Sequence, residues 1–339
     1  MKSLNVLIMR KKKGRLLRNT VVRSLRALPI AIRIVILCIF FVQPVSARSF
    51  KADLTLGKMY FDGLERTYYL HLPTGHKSSG KLPVVLVLHG GGRGDGDDVA
   101  RWTGYIELAD RDNFIAVYPN GIDAQWNDGR VKTFRRGKDN AHVDDVGFIS
   151  ALIDYIIRDL NGDPRRVYVT GLSNGGMMAL RLGCEISSKL AAIAPVIANV
   201  PKNIYGRCSP DVKLPVLLMN GTNDPLVPWD GGSVGFFGKR RGEVVSTNET
   251  VRFWSKHNGC SSRFVQWVPD RDRRDHSRVR ITTWKKPGNT CEVILYSIVG
   301  GGHTFPGSDV PNRPLLLGRK NNDINGAEVI WDFFSRHIR

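Results

Sequence analysis

The sequence predicts an α/β fold: a mainly parallel, doubly wound sheet with helices on both faces and no large lid domain. Three observations carry that expectation. Residues 84–88, 114–118 and 216–220 are short, continuous apolar runs, as strands buried on both faces are. Between such runs lie helical patterns, clearest at Val146, Ile149, Leu152, Ile153, Ile156 and Ile157. A Gly-x-Ser-x-Gly pentapeptide, Gly171-Leu172-Ser173-Asn174-Gly175, joins the β-favouring run 166–170 to the helical start Met177-Met178-Ala179-Leu180. No repeat or linker intervenes, so residues 48–339 are expected to form one domain.

In chain order, residues 64–72 are rich in strand formers and stop at Pro73, which predicts an early edge strand. The buried strand 84–88 ends in His89-Gly90-Gly91-Gly92, and a helix is expected from about 97 to 111, capped by Asp97 or Asp98. Residues 122–143 form a long loop with Trp126 and the basic group Lys132, Arg135, Arg136 and Lys138. The helix 145–160 stops at Asn161-Gly162. After the pentapeptide helix, strands are expected over 190–196 and 216–220, then a helix over 243–257. Two weaker strands should flank the charge run 271–274, and a last strand, 292–299, precedes a closing helix over 322–337.

The net charge of +19 is unevenly spread: ten of the 50 basic residues and none of the 31 acidic ones fall within residues 1–47. That segment has an apolar run over 34–42 and then Val45 and Ala47, the small residues of a cleavage site. We expect a signal peptide cleaved after Ala47; an uncleaved anchor is the alternative, though the run is short for a membrane span. The rest is moderately basic, without the clustered Lys, Arg and aromatics of a nucleic-acid binder. Secretion, extracellular or periplasmic, leaves Cys184, Cys208, Cys260 and Cys291, enough for two disulfides with three connectivities. Local pairing, Cys184 with Cys208 and Cys260 with Cys291, is the expected one. No ligand spacing for zinc is present, and Asp95-Gly96-Asp97-Asp98 lacks the spacing of a calcium loop.

Chemistry in such sheets gathers at the carboxyl ends of the strands. Four candidates follow strands here: Ser173, the Gly90–Gly92 turn, Asp224 in Gly221-Thr222-Asn223-Asp224-Pro225, and His303 after Gly300-Gly301-Gly302. The order Ser, Asp, His is that of the α/β hydrolases. A serine hydroxyl attacks a carbonyl only if a base takes its proton, the role expected of His303. Asp224 would hold the imidazole tautomer, with Asp230 as the competing acid. The Asn174 and Gly91 N–H groups would face the oxyanion. His89 would orient the glycine turn by hydrogen bonding. The alternative for Ser173 is a plain helix N-cap.

With these residues in place, the sequence resembles the secreted polyhydroxybutyrate depolymerase-like and feruloyl esterase-like α/β hydrolases. The matching stretches are Leu88-His89-Gly90, Tyr118-Pro119-Asn120-Gly121, residues 143–148, residues 163–178, residues 220–225 with 228–232, Asn258-Gly259-Cys260, and residues 301–307. The resemblance implies Ser173 as nucleophile with Asp224 and His303 as partners, cleaving carboxylic esters without cofactor or metal. It departs at Gly91, where many depolymerase-like members carry cysteine. The 199–214 connection is too short for a large lid, so we expect an open site, with Trp126 and Trp229 either stacking on an aromatic acyl group or a sugar or packing against loops. The chain stops after its closing helix, so no appended polymer-binding module is expected. Feruloylated or acetylated polysaccharide, or hydroxyalkanoate oligomers, then become the expected substrates of a monomer. A non-catalytic ester- or carbohydrate-binding relative is the second reading.

Overall fold

The computed structural model describes residues 54–339 apart from 77–79, 93, 131–139, 237–238, 287–291 and 310–312. The expected signal peptide, the Lys132–Lys138 basic group and Cys291 lie outside the described residues. Ten strands form one sheet: β1 (Thr55–Phe61), β2 (Leu64–His71), β3 (Leu82–Leu88), β4 (Ile115–Pro119), β5 (Gly162–Leu172), β6 (Ala192–Val196), β7 (Val216–Gly221), then, beyond a separate hairpin of β8 (Gly232–Phe236) and β9 (Lys239–Val244), β10 (Ser262–Trp267), β11 (Arg278–Lys285) and β12 (Glu292–Val299). Their order is β1-β2-β4-β3-β5-β6-β7-β12-β11-β10. From β4 to β12 neighbours run parallel, and an antiparallel pair of strands flanks each side.

The buried runs behave as their composition demands. Along β3, Val84, Leu86 and Leu88 point into one apolar layer and Val85 and Val87 into the other, the two-residue period of a strand covered on both faces. Helices α1 (Gly96–Thr103) and α2 (Tyr105–Asp112) bury residues in the Val85 layer. Helices α3 (Asp145–Asp159) and α4 (Asn174–Glu185) bury theirs in the Val84 layer. The short α5 (Lys202–Tyr205) and then α6 (Thr247–Asn258) join that same layer. Two helices end the chain, α7 (Pro314–Leu317) and α8 (Gly326–Ser335), the latter packing Ile330 and Phe334 in the Val85 layer.

Four expectations need correction. Residues 64–71 are not an edge: β1 pairs outside β2 through Asp62 and Gly63, both at positive φ, the backbone of a two-residue hairpin. The helix expected over 97–111 is two, broken at Gly104 (φ 76°), and its cap is Asp95, whose side chain accepts from the Asp98 N–H. The helix expected from 243 starts at Thr247 behind a Ser246–Glu249 capping box, because residues 239–244 pair with β8. The closing helix is shorter than expected, starting after an Asn325 cap.

Cys184 and Cys208 are bridged, tying the end of α4 to the segment after α5 across a separation of 24 residues. Chain entropy values such a loop at about 3.5 kcal/mol. Cys260 is disulfide-bonded as well, and its expected partner, Cys291, is outside the described residues. Among the described residues no helix is long and apolar enough to cross a membrane.

Candidate active site

Strand β5 delivers Ser173 into a backbone geometry that side chains rarely adopt, φ 56° and ψ −114°, before α4 begins at Asn174. Such a conformation costs about 1–3 kcal/mol and persists only where the surroundings enforce it. Here the enforcement is close packing. A Cβ on Gly175 would lie 2.4 Å from the Leu88 carbonyl oxygen, and one on Gly171 would lie 2.5 Å from the Gly175 oxygen. The Ser173 side chain makes no capping bond to its helix, so the N-cap alternative is not what the hydroxyl does.

The loops after β7 and β12 meet. A Cβ on Gly221 would lie 2.4 Å from the Gly302 carbonyl oxygen, so only glycine allows this approach. It brings His303 Nδ1 to 2.7 Å from Asp224 Oδ2, both residues buried. The other carboxylate oxygen, Oδ1, accepts from the N–H groups of Leu226 (2.8 Å) and Val227 (2.9 Å). Asp224 is thereby locked, and with its carboxylate accepting, the imidazole proton sits on Nδ1 and Nε2 is left as an acceptor. The competing acid, Asp230, is exposed and takes no part in this pair.

The glycine turn after β3 is held by His89. The Gly121 N–H donates to its Nε2 (3.0 Å), so the ring proton is on Nδ1, which donates to the Gly90 carbonyl (2.8 Å). Burial pushes this imidazole below its ordinary pKa and keeps it neutral. The Gly92 N–H is used on the Ala124 carbonyl, whereas among the described residues the Gly91 N–H has no acceptor. Gly91 abuts Asn174: a Cβ there would lie 3.1 Å from Asn174 Cβ.

Trp126 is not a stacking surface for substrate. It is fully buried, its indole N–H donates to the His89 carbonyl (2.9 Å), and its backbone N–H donates to Asn174 Oδ1 (2.8 Å). Trp229 packs on the core and does not line the cavity beside Ser173. Residues missed in the sequence carry that region instead. Asn174 Nδ2 donates to the fully buried Asp128 (2.6 Å), and Arg130 Nη2 lies 2.7 Å from the same carboxylate oxygen. Arg130 Nη1 also donates to the Arg241 carbonyl of β9, so a buried ion pair ties the residue after Ser173 to the β8–β9 hairpin.

Ser173, Asn174, His303 and the glycine turn line one open cavity of about 460 Å³. Its remaining walls are mostly apolar and include Trp102, Leu226, Val234, Leu316 and Leu317. These come from α1, the loop after β7, the β8–β9 hairpin and α7, and nothing local in the sequence marks them. Among the described residues no cluster of His, Cys, Asp or Glu is placed to hold a metal ion.

The family described as esterase PHB depolymerase is matched by residues 66–208. NocK of Nocardia uniformis subsp. tsuyamanensis, named as an esterase, is 31% identical over 289 residues, which cover 83% of each chain. The chain belongs to the PHB depolymerase esterase family. A feruloyl esterase C of Aspergillus terreus is 33% identical over 288 residues, 83% of this chain and 87% of its own. Among solved structures, the acetyl xylan esterase from Aspergillus awamori aligns with a TM-score of 0.52 at 15% identity, over 83% of this chain and 99% of that one, a likeness of fold. This esterase is thus an α/β hydrolase acting on carboxylic esters, the fold expected from the strand-end pattern and the activity expected from the resemblance.

Proposed function

We propose that the esterase is a secreted serine hydrolase whose triad is Ser173, His303 and Asp224. The observation that carries this reading is the 2.7 Å His303–Asp224 bond at the cavity that Ser173 also lines. His303 Nε2 takes the Ser173 proton as Oγ attacks the ester carbonyl, and the resulting imidazolium is stabilised by Asp224. The developing oxyanion is held by the N–H groups of Gly91 and Asn174, each worth about 3 kcal/mol in the transition state. His303 then protonates the departing alcohol. Water, activated by the same nitrogen, hydrolyses the acyl-Ser173 ester and restores the enzyme.

The cavity volume falls in the range of small-ligand sites, and its apolar walls suit an aromatic or short acyl group. Together with the feruloyl and acetyl xylan esterases it is similar to, this favours esters borne on plant polysaccharide. The disulfide and the leader-like residues 1–47 support secretion.

Labelling with a fluorophosphonate, read by intact mass, tests the mechanism. One adduct on wild type and none on Ser173→Ala is expected; no adduct on wild type, or equal labelling of the variant, overturns it and favours the non-catalytic reading. Initial rates on methyl ferulate, acetylated xylan and hydroxybutyrate oligomers rank the substrates.

A further inference from the structure

The outer ribbon of the sheet carries an arrangement that catalysis does not use. Across the β10–β11 register Arg263 faces Trp284, and Trp267 faces Arg280. By strand alternation Val265 and Arg278 share that face. Trp267 is 47% exposed on an edge strand, so about half of its indole faces solvent. The Arg278 guanidinium stands 4.6 Å from its ring centroid and that of Arg280 5.9 Å, while Arg263 lies 5.8 Å from the Trp284 ring.

No carboxylate neutralises these cations: among the described residues none of the three arginines forms an ion pair. Of the nearby acids, Asp272 is held by Arg274 and Asn322, and Asp323 by the backbone of 271–272, while Asp270 keeps a buried Oδ1 and forms no ion pair with these arginines among the described residues. Two guanidinium groups crowded about one indole, without a counter-charge, match an anionic and partly apolar partner. The face also points the right way. Arg278 pairs with Val299, the last residue of β12, so the Trp267 end of the ribbon is the end from which the His303 loop leaves the sheet.

We propose that this face docks a carboxylate-bearing polysaccharide, a uronate polymer, and leads it toward the cavity. The proposal rests on the reading that the esterase acts on polysaccharide-borne esters. Uronate carboxylates would pair with Arg263, Arg278 and Arg280, and a sugar face would cover Trp267.

The test uses the mature chain in affinity electrophoresis against polygalacturonate and against neutral xylan. Wild type should be retarded by polygalacturonate alone, less so as salt rises. Trp267→Ala and Arg263→Glu/Arg278→Glu should each weaken retardation about tenfold while leaving kcat/KM on methyl ferulate unchanged. Equal retardation of wild type and variants, or equal retardation by neutral xylan, overturns the proposal. So does tighter binding of a single-stranded oligonucleotide or phosphatidylserine vesicles, or a wild-type dimer that Trp267→Ala converts to monomer. If wild type hydrolyses no ester yet the variants lose polymer binding, the docking surface stands and the triad reading fails.

Discussion

Replacing Asp224 by asparagine separates holding a loop from holding a proton. Oδ1 of Asp224 accepts two backbone N–H groups, so an asparagine can satisfy them only with its amide oxygen there. Its NH2 group must then occupy the Oδ2 position, 2.7 Å from His303 Nδ1. That nitrogen becomes an acceptor, the ring proton moves to Nε2, and the base can no longer accept from Ser173. In a triad this wrong tautomer lowers kcat about 10⁴-fold, about 5.4 kcal/mol. Stability should change by less than about 1 kcal/mol, because both backbone bonds survive. Asp224→Ala orphans both N–H groups and should destabilise by about 2–6 kcal/mol. Steady-state kinetics and urea unfolding of the two variants decide the matter. An Asp224→Asn enzyme keeping more than about a tenth of kcat, or as unstable as Asp224→Ala, would refute the assignment of the two oxygens.

Removal of Arg130 leaves the Asp128 carboxylate buried without its cation, so Arg130→Met should cost about 3–5 kcal/mol in urea unfolding, with Asp128→Asn/Arg130→Met recovering most of it. The same single variant should lower kcat, since Asp128 anchors the Asn174 side chain. Glu292 sets an acid limb for stability. Burial alone would raise its carboxyl, but His337, Lys285 and Arg336 outweigh that and hold it at about 2. The contribution is therefore present above the unfolded-state pKa of about 4.3 and lost as pH falls toward 2, at most about 3 kcal/mol. Glu292→Gln should flatten the unfolding free energy across that window, and an unchanged slope counts against the cluster.

Most of the site was legible because its parts sit where local chemistry is loud. A buried strand shows as an apolar run, and the turn after it as glycines, so Ser173, Asp224, His303 and the glycine turn could be placed at strand ends before their partners were known. The β8–β9 hairpin was not legible: Gly235 and Gly242 interrupt its alternation, and residues 239–244 border a capped helix whose start was misplaced. Trp126 was legible as an aromatic near a strand end, but its burial depends on His89 and Asn174, 37 and 48 positions away.

Sequence alone determined the α/β alternation, the strand-to-helix turn at Ser173 and the strand-end positions of Asp224 and His303, because periodicity and turn chemistry act over a few residues. Tertiary structure decided that Asp224 and not Asp230 meets His303, that Trp102 and Leu316 wall the cavity, and that Arg66 reaches Asp145 across 79 positions at 2.6 Å. Those are matters of which faces meet. They follow from sheet order and the close approach of loops, to which each short segment contributes only a part.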